Sequence, residues 1–446
     1  NLFLIIATLC VSSYFEGHSQ SKITFYSDTT YVLDVFKPID GNYNSLYASK
    51  KLILSSEKPT EISIAIDDYA FIHFKGADDS KFDLLLVGDD DIQVNYQEGR
   101  FYFEGDNAAG QTFLKEQYNK GSLAHLIELI NPIFDAYKNN DLVIEDMENE
   151  LEEIKRANYK EKLDKLLHEK EITPAFKEKL TTDLEYGYYN VLDALLTNLL
   201  RGRIIKRDLK TSERDMIFKY MDNHMLDSEF INQETLKYPY ASFLTDYYAL
   251  RYRSLTQDEK DKLTQGHDID TFGKWAFILF APESLQVALF GKIAMQQLIF
   301  MYDYFDLNKM LGFLSDKKPD SEYITTIHQI VEKSKEKEQV WSEEREQKVI
   351  FLDTDDINSV AALSNQPGIQ GNYAFVDLWA TWCMPCIMEF KHHEKLSELL
   401  EDYDTIVNVF ISIDKEHLDD EWRKRVDGFQ LSGFNLRASE ELKSIY

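Results

Sequence analysis

Three cysteines occur in the chain, and two of them, Cys383 and Cys386, stand three residues apart in Ala380-Thr-Trp-Cys-Met-Pro-Cys386. Thiols at that spacing can close a disulfide with each other or exchange one with another molecule, and the reactive species is the thiolate. Upstream, Tyr373-Ala-Phe-Val-Asp-Leu-Trp379 reads as a buried strand. Downstream, His392, Leu396, Leu399 and Tyr403 have helical spacing, and Thr405 to Ile413 reads as a second apolar strand. The pair therefore lies at a strand-to-helix junction inside a β-α-β unit. Unpaired N–H groups and the positive end of the macrodipole favour an anion at a helix start. Lowering a cysteine pKa from about 8.5 to about 7 raises the thiolate fraction at neutral pH from roughly 3% to roughly half. Cys383, nearer the N-cap and solvent, is expected to attack a disulfide, and Cys386, one turn in, to resolve the mixed disulfide. Pro385 lacks an N–H and pre-sets the first helical turn.

Zinc ligation by Cys383, Cys386, His392 and His393 is the competing chemistry, since thiolates and imidazoles bind zinc well. A tryptophan-flanked Cys-Met-Pro-Cys at a strand end argues against it, and neither a metal nor a cofactor is expected. His73, alone among apolar neighbours, reads as a satisfied structural histidine.

The elements that must position the cysteines come last in the chain. At 446 residues, 44% of them hydrophobic, the sequence is too long for one ordinary domain, and about three are expected. Lys and Arg number 49 against 78 Asp and Glu, a formal charge of −29 that repels phosphate backbones, so nucleic acid is excluded as a partner. From about 21 to 110 the sequence reads as an all-β, sandwich-like domain. Its strands are Tyr31–Phe36, Glu61–Ile66, Phe71–Phe74, Asp91–Tyr96 and Arg100–Phe103, with breaks at Asp40-Gly41-Asn42, Asp67-Asp68, Gly88-Asp89 and Glu98-Gly99. From about 111 to 345 the period becomes helical. Met147, Leu151 and Ile154 form one face, Leu192, Leu195, Leu196 and Leu199 another, and Phe300, Tyr304, Leu307, Leu311 and Leu314 a third. Pro132, Pro174, Pro239, Pro282 and Pro319 mark helix starts or breaks. The aromatic stretch Tyr238 to Tyr252 reads as helical core. Lys333 to Lys348 is dense in Lys and Glu, a solvated helix or linker ahead of an α/β domain over 346–446.

The first residues, Leu2 to Val11, are apolar, too short to span a bilayer, and followed by small residues. They read as a secretory signal over 1–20, clipped at Asn1 because no Met or basic segment precedes it. Leu9 stands before Cys10 where a lipid-anchor signal carries a small residue, so no anchor is expected. Export would leave Cys383 and Cys386 as the only cysteines of the mature chain, a pair more plausible as a reagent than as a staple.

Val376-Asp-Leu-Trp-Ala-Thr-Trp-Cys-Met-Pro-Cys386 resembles the active-site segment of thioredoxins, and more closely that of exported TlpA/ResA-like thiol–disulfide oxidoreductases. The likeness continues through Glu389, the Val409–Asp414 strand and Trp422 to the Leu436–Tyr446 tail, covering roughly the last hundred residues. It implies a thioredoxin-like fold for 346–446. It also implies that Asp377 is the buried acid that exchanges a proton with the resolving cysteine, and that Trp382 shields the site. The implied partners are disulfides of other exported proteins and an external dithiol electron donor, and the implied location is the bacterial periplasm or cell envelope. Lys391 replaces the family's helix proline, and Phe410 stands where thioredoxins often carry a lysine. The likeness stops before the loop bearing the family's cis-proline and before its last strands and helix, so the domain is expected to be incomplete in this chain. The alternative is a non-catalytic envelope scaffold with a vestigial thioredoxin-like unit; retention of both cysteines and Asp377 argues against it.

Overall fold

The computed structural model describes residues 19–443 except 120–127, 129–143, 201–209, 226–230, 233, 243, 245–247, 249–251, 253–256, 265–276, 280, 302–306, 354–356, 402 and 404. The expected secretory signal lies outside the described residues apart from Ser19 and Gln20, as do Pro132, Tyr304 and much of the Tyr238–Tyr252 stretch. Two compact units divide the chain, Asn1–Leu289 and Phe290–Tyr446.

The first unit opens with strands β1 (Ser19–Ser27), β2 (Tyr31–Phe36), β3 (Lys50–Leu54), β4 (Thr60–Ile66), β5 (Tyr69–Gly76), β6 (Lys81–Val87), β7 (Asp91–Gln97) and β8 (Arg100–Gly105). They form two four-stranded sheets, ordered β4-β1-β7-β8 and β3-β2-β5-β6. Period-two alternation builds them: in β4, Ile62, Ile64 and Ile66 are buried while Glu61, Ser63 and Ala65 face out. Inward residues of both sheets, among them Ile23, Phe25, Leu33, Leu84, Ile92 and Val94, share one core. Glu98 and Gly99 both take positive φ, 51° and 76°, which closes the two-residue β7–β8 hairpin. His73 on β5 is buried and hydrogen-bonded to Asp83 at 3.0 Å, as a structural histidine should be.

Helices follow: α1 (Ala108–Asn119), α2 (Ile144–Lys155), α3 (Glu161–His168), α4 (Pro174–Leu200), α5 (Thr211–Met225), α6 (Gln257–Thr264) and α7 (Glu283–Gln296). Pro174 opens α4, and Pro239 opens a 3-10 turn. Tyr238 is buried with its ring 5.4 Å from Tyr69 and 5.2 Å from Tyr186, so it belongs to the core.

The second unit contains α8 (Leu307–Lys317), α9 (Glu322–Lys348), β9 (Val349–Phe351), α10 (Val360–Ser364), β10 (Tyr373–Trp379), α11 (Met384–Glu389), α12 (His393–Glu401), β11 (Ile406–Ser412), α13 (Asp419–Gly428), β12 (Gly433–Arg437) and α14 (Glu440–Lys443). The Lys- and Glu-rich stretch is the second half of α9, which runs directly into β9. Four strands make a sheet ordered β10-β11-β12-β9, with every pair parallel. Val409, Ile411 and Leu436 pack on one of its faces with Ile357, Leu363 and Leu442. On the other, Trp379 and Phe410 pack with Phe390, Trp422, Val426 and Leu431. The protein is thus multidomain: two N-terminal β-sheets, a helical middle and a C-terminal parallel α/β sheet.

The strand carrying Asp377 was expected to be covered on both faces, as parallel strands usually are. Among the described residues β11 flanks one side of β10 and no strand flanks the other. Tyr373, Phe375, Val376 and Leu378 are all exposed, and cover begins only at Trp379, which is 1% exposed.

Candidate active site

The cysteines sit where strand gives way to helix. The Ile413 N–H donates to the Trp379 carbonyl at 2.9 Å, which carries the β10–β11 ladder to the last residue of β10. The chain then turns, with the Cys383 N–H donating to the Ala380 carbonyl at 3.0 Å. Cys383 takes the N-cap position of α11, with non-helical φ −85° and ψ 86°, and its carbonyl accepts the Ile387 N–H at 3.0 Å. Pro385 lies in the first turn, where its missing N–H costs nothing. A 3-10 turn, Phe390–His392, separates α11 from α12 and contains Lys391.

Cys383 and Cys386 are joined by a disulfide, with Cα atoms 5.3 Å apart. Both are half-buried, in different surroundings. Cys383 adjoins Trp382, whose side chain is 66% exposed, whereas Cys386 packs on the cluster of Trp379, Phe390 and Phe410. The Cys386 sulfur lies 3.9 Å from the Leu378 carbonyl.

Asp377 shares the sheet face of that cluster, because its register partner on β11 is Phe410. Half-buried, it has a carboxyl pushed above the ordinary carboxylate range, first by desolvation and second by the negative charge of Glu389. Glu389 itself is exposed, one turn past Cys386 on α11. Phe410, the register partner of Asp377, offers only an apolar ring, which does nothing to offset the desolvation. The structure thus gathers Asp377, Cys386 and Glu389 along one end of β10 and α11, with Cys383 and Trp382 outermost.

His393 is buried, packs edge-on to Phe410 at 4.9 Å and has Nε2 3.3 Å from the Ser397 hydroxyl. Burial pushes its pKa below the usual value. Among the described residues no three His, Cys, Asp or Glu side chains converge as a metal site would require.

Sequence reading passed over one further group. The Thr381 N–H and hydroxyl both donate to the buried carboxylate of Asp414, at 2.9 and 2.8 Å, and Ser412 donates to the same carboxylate at 2.7 Å. A Ser-x-Asp closing an apolar strand was the available signal, and only the fold shows that Thr381 meets it.

Comparison of the chain with protein-family models, with curated proteins and with solved structures finds no match in any of the three. The functional reading therefore rests on the site. It consists of a Cys-x-x-Cys pair at an N-cap in a C-terminal parallel α/β sheet, with a titratable acid on the face that the inner cysteine packs against. No described helix is long and apolar enough to cross a membrane.

Proposed function

We propose that the chain is a thiol–disulfide oxidoreductase of the exported, TlpA/ResA-like kind, reducing or exchanging disulfides of other exported proteins. The observation that carries this reading is the Cys383–Cys386 disulfide at the start of α11, with half-buried Asp377 on the sheet face whose apolar cluster Cys386 packs against.

In the reduced state the Cys383 thiolate attacks one sulfur of a substrate disulfide. That S–S bond breaks, a mixed disulfide forms through Cys383, and the departing substrate thiolate takes a proton. Cys386 then gives its proton to Asp377 and attacks the Cys383 sulfur, which breaks the mixed disulfide and releases the second substrate thiolate. That thiolate takes a proton from solvent as Asp377 returns one to solvent. Two electrons pass to the substrate, and the protein is left with the disulfide seen here. An external dithiol must reduce it for another cycle. Trp382 presents an exposed aromatic surface beside the attacking sulfur, suited to apolar residues around a substrate disulfide.

The assignment of roles is tested by alkylating the reduced full chain near neutral pH. Cys383, with the first-turn N–H groups before it and solvent beside it, is expected to label at least about threefold faster than Cys386. Equal labelling, or faster labelling of Cys386, contradicts the assignment.

A further inference from the structure

Behind the turn that presents Cys383 lies a carboxylate taken wholly out of water. Asp414, two residues past β11, is 0% exposed, and a carboxylate at such depth persists only where donors satisfy its oxygens. The Thr381 N–H reaches Oδ2 at 2.9 Å, the Thr381 hydroxyl reaches Oδ1 at 2.8 Å, and the Ser412 hydroxyl reaches Oδ2 at 2.7 Å. The backbone at Asp414 is pinned as well: its N–H donates to the Ser412 hydroxyl at 3.1 Å, and its carbonyl accepts from Lys443 Nζ at 3.0 Å.

The origin of these donors is informative. A carboxylate that merely capped β11 would be satisfied from its own strand, yet two of the three donors to the side chain belong to Thr381, inside the Ala380–Cys383 turn. Thr381 is itself buried, so both of its donors are committed to one anion on the neighbouring strand. Resting on the redox reading above, we infer that Asp414 is a positioning residue for Cys383, holding the Ala380–Cys383 turn in one conformation whether the cysteines are joined or apart.

The consequence falls on the dithiol. When the disulfide opens, a fixed turn keeps the Cys383 sulfur beside Cys386, and this pre-organisation favours ring closure. Loosening the turn therefore makes the disulfide easier to reduce. Thr381→Val keeps the side-chain shape and removes the hydroxyl donor; Asp414→Asn removes the charge and one acceptor; Thr381→Ser keeps the donor.

The experiment is equilibration of the full chain with glutathione buffers, with quenching by alkylation and mass readout. Thr381→Val and Asp414→Asn are each expected to weaken the disulfide about tenfold, equivalent to about 30 mV for two electrons, with Thr381→Ser within about twofold of the parent. If the first two lower the melting temperature yet keep the parental equilibrium, Asp414 is only a strand cap and the inference is overturned. Amide hydrogen exchange on the unsubstituted chain tests it even if those variants fail to fold. The Thr381 amide should exchange equally slowly with the disulfide closed and open. Faster exchange on reduction would mean that the disulfide, not Asp414, holds the turn. Neither measurement involves a protein substrate, so both stand apart from failure to reduce one, which would count against the functional reading instead.

Discussion

A reduced Cys386→Ser chain mixed with a disulfide-bearing protein is expected to accumulate as a mixed disulfide through Cys383, and a Cys383→Ser chain to accumulate almost none. The asymmetry follows from position. Cys383 caps α11 beside an exposed tryptophan, whereas Cys386 rests on Trp379, Phe390 and Phe410 with its sulfur 3.9 Å from the Leu378 carbonyl. In the parent the resolving thiol stands within one helical turn, and intramolecular reactions so oriented have effective molarities of about 10⁵ M or more in favourable cases. Without Cys386 only dilute external thiols can open the adduct, so its lifetime should rise by about a thousandfold or more. Non-reducing electrophoresis and mass spectrometry of the adduct give the readout. Equal trapping by both variants would show that the two sulfurs are interchangeable, contrary to the roles assigned.

Asp377→Asn is expected to slow resolution of the mixed disulfide by about a hundredfold, the low end for loss of a general acid–base, and to flatten its pH dependence. Attack by Cys383 should be untouched. The physical cause is the raised carboxyl pKa: desolvation against the apolar cluster comes first, the charge of Glu389 second. Glu389→Gln removes the second cause only, so it should move the pH profile of resolution to lower pH while keeping the step.

Stability gives an independent check on the same residue. Between its unfolded pKa, about 3.9, and its higher folded value, Asp377 binds more protons in the folded state than in the unfolded one. Its contribution to stability therefore falls as pH rises through that window and stays low above it. Asp377→Asn should accordingly be more stable than the parent at pH 7, with the gain vanishing below about pH 4. Denaturant unfolding at the two pH values measures this. Parental resolution rates from pH 6 to 9, together with a stability difference independent of pH, would make Asp377 a structural residue.

Much of this architecture was legible because local chemistry and burial agree. Alternation in β4 and β7, helical spacing in α4 and the two-residue Glu98-Gly99 turn were all readable from side-chain type alone. Strands β1, β3 and β6 were not. Lys81-Phe-Asp-Leu-Leu-Leu-Val87 is buried along most of its length and shows no period, while β1 opens on Ser19-Gln-Ser-Lys, polar residues that only sheet pairing makes extended. At the site, the cysteines, Pro385 and Asp377 could be placed on their elements from spacing. The exposure of Phe375, Val376 and Leu378 around Asp377 could not, because cover depends on elements paired and packed from far away in the chain. The Thr381–Asp414 contact was hidden for the same reason, with 33 residues between its partners.

Reduction of insulin's interchain disulfides by the full chain, with dithiothreitol as the recycling dithiol, tests the central claim most directly. Turbidity from the precipitating insulin B chain is expected well ahead of dithiothreitol alone, with the Cys383→Ser chain falling back to the dithiothreitol rate. Turbidity no faster than dithiothreitol alone, from a chain whose Cys383–Cys386 disulfide is shown by mass to open and close under the assay conditions, would contradict it.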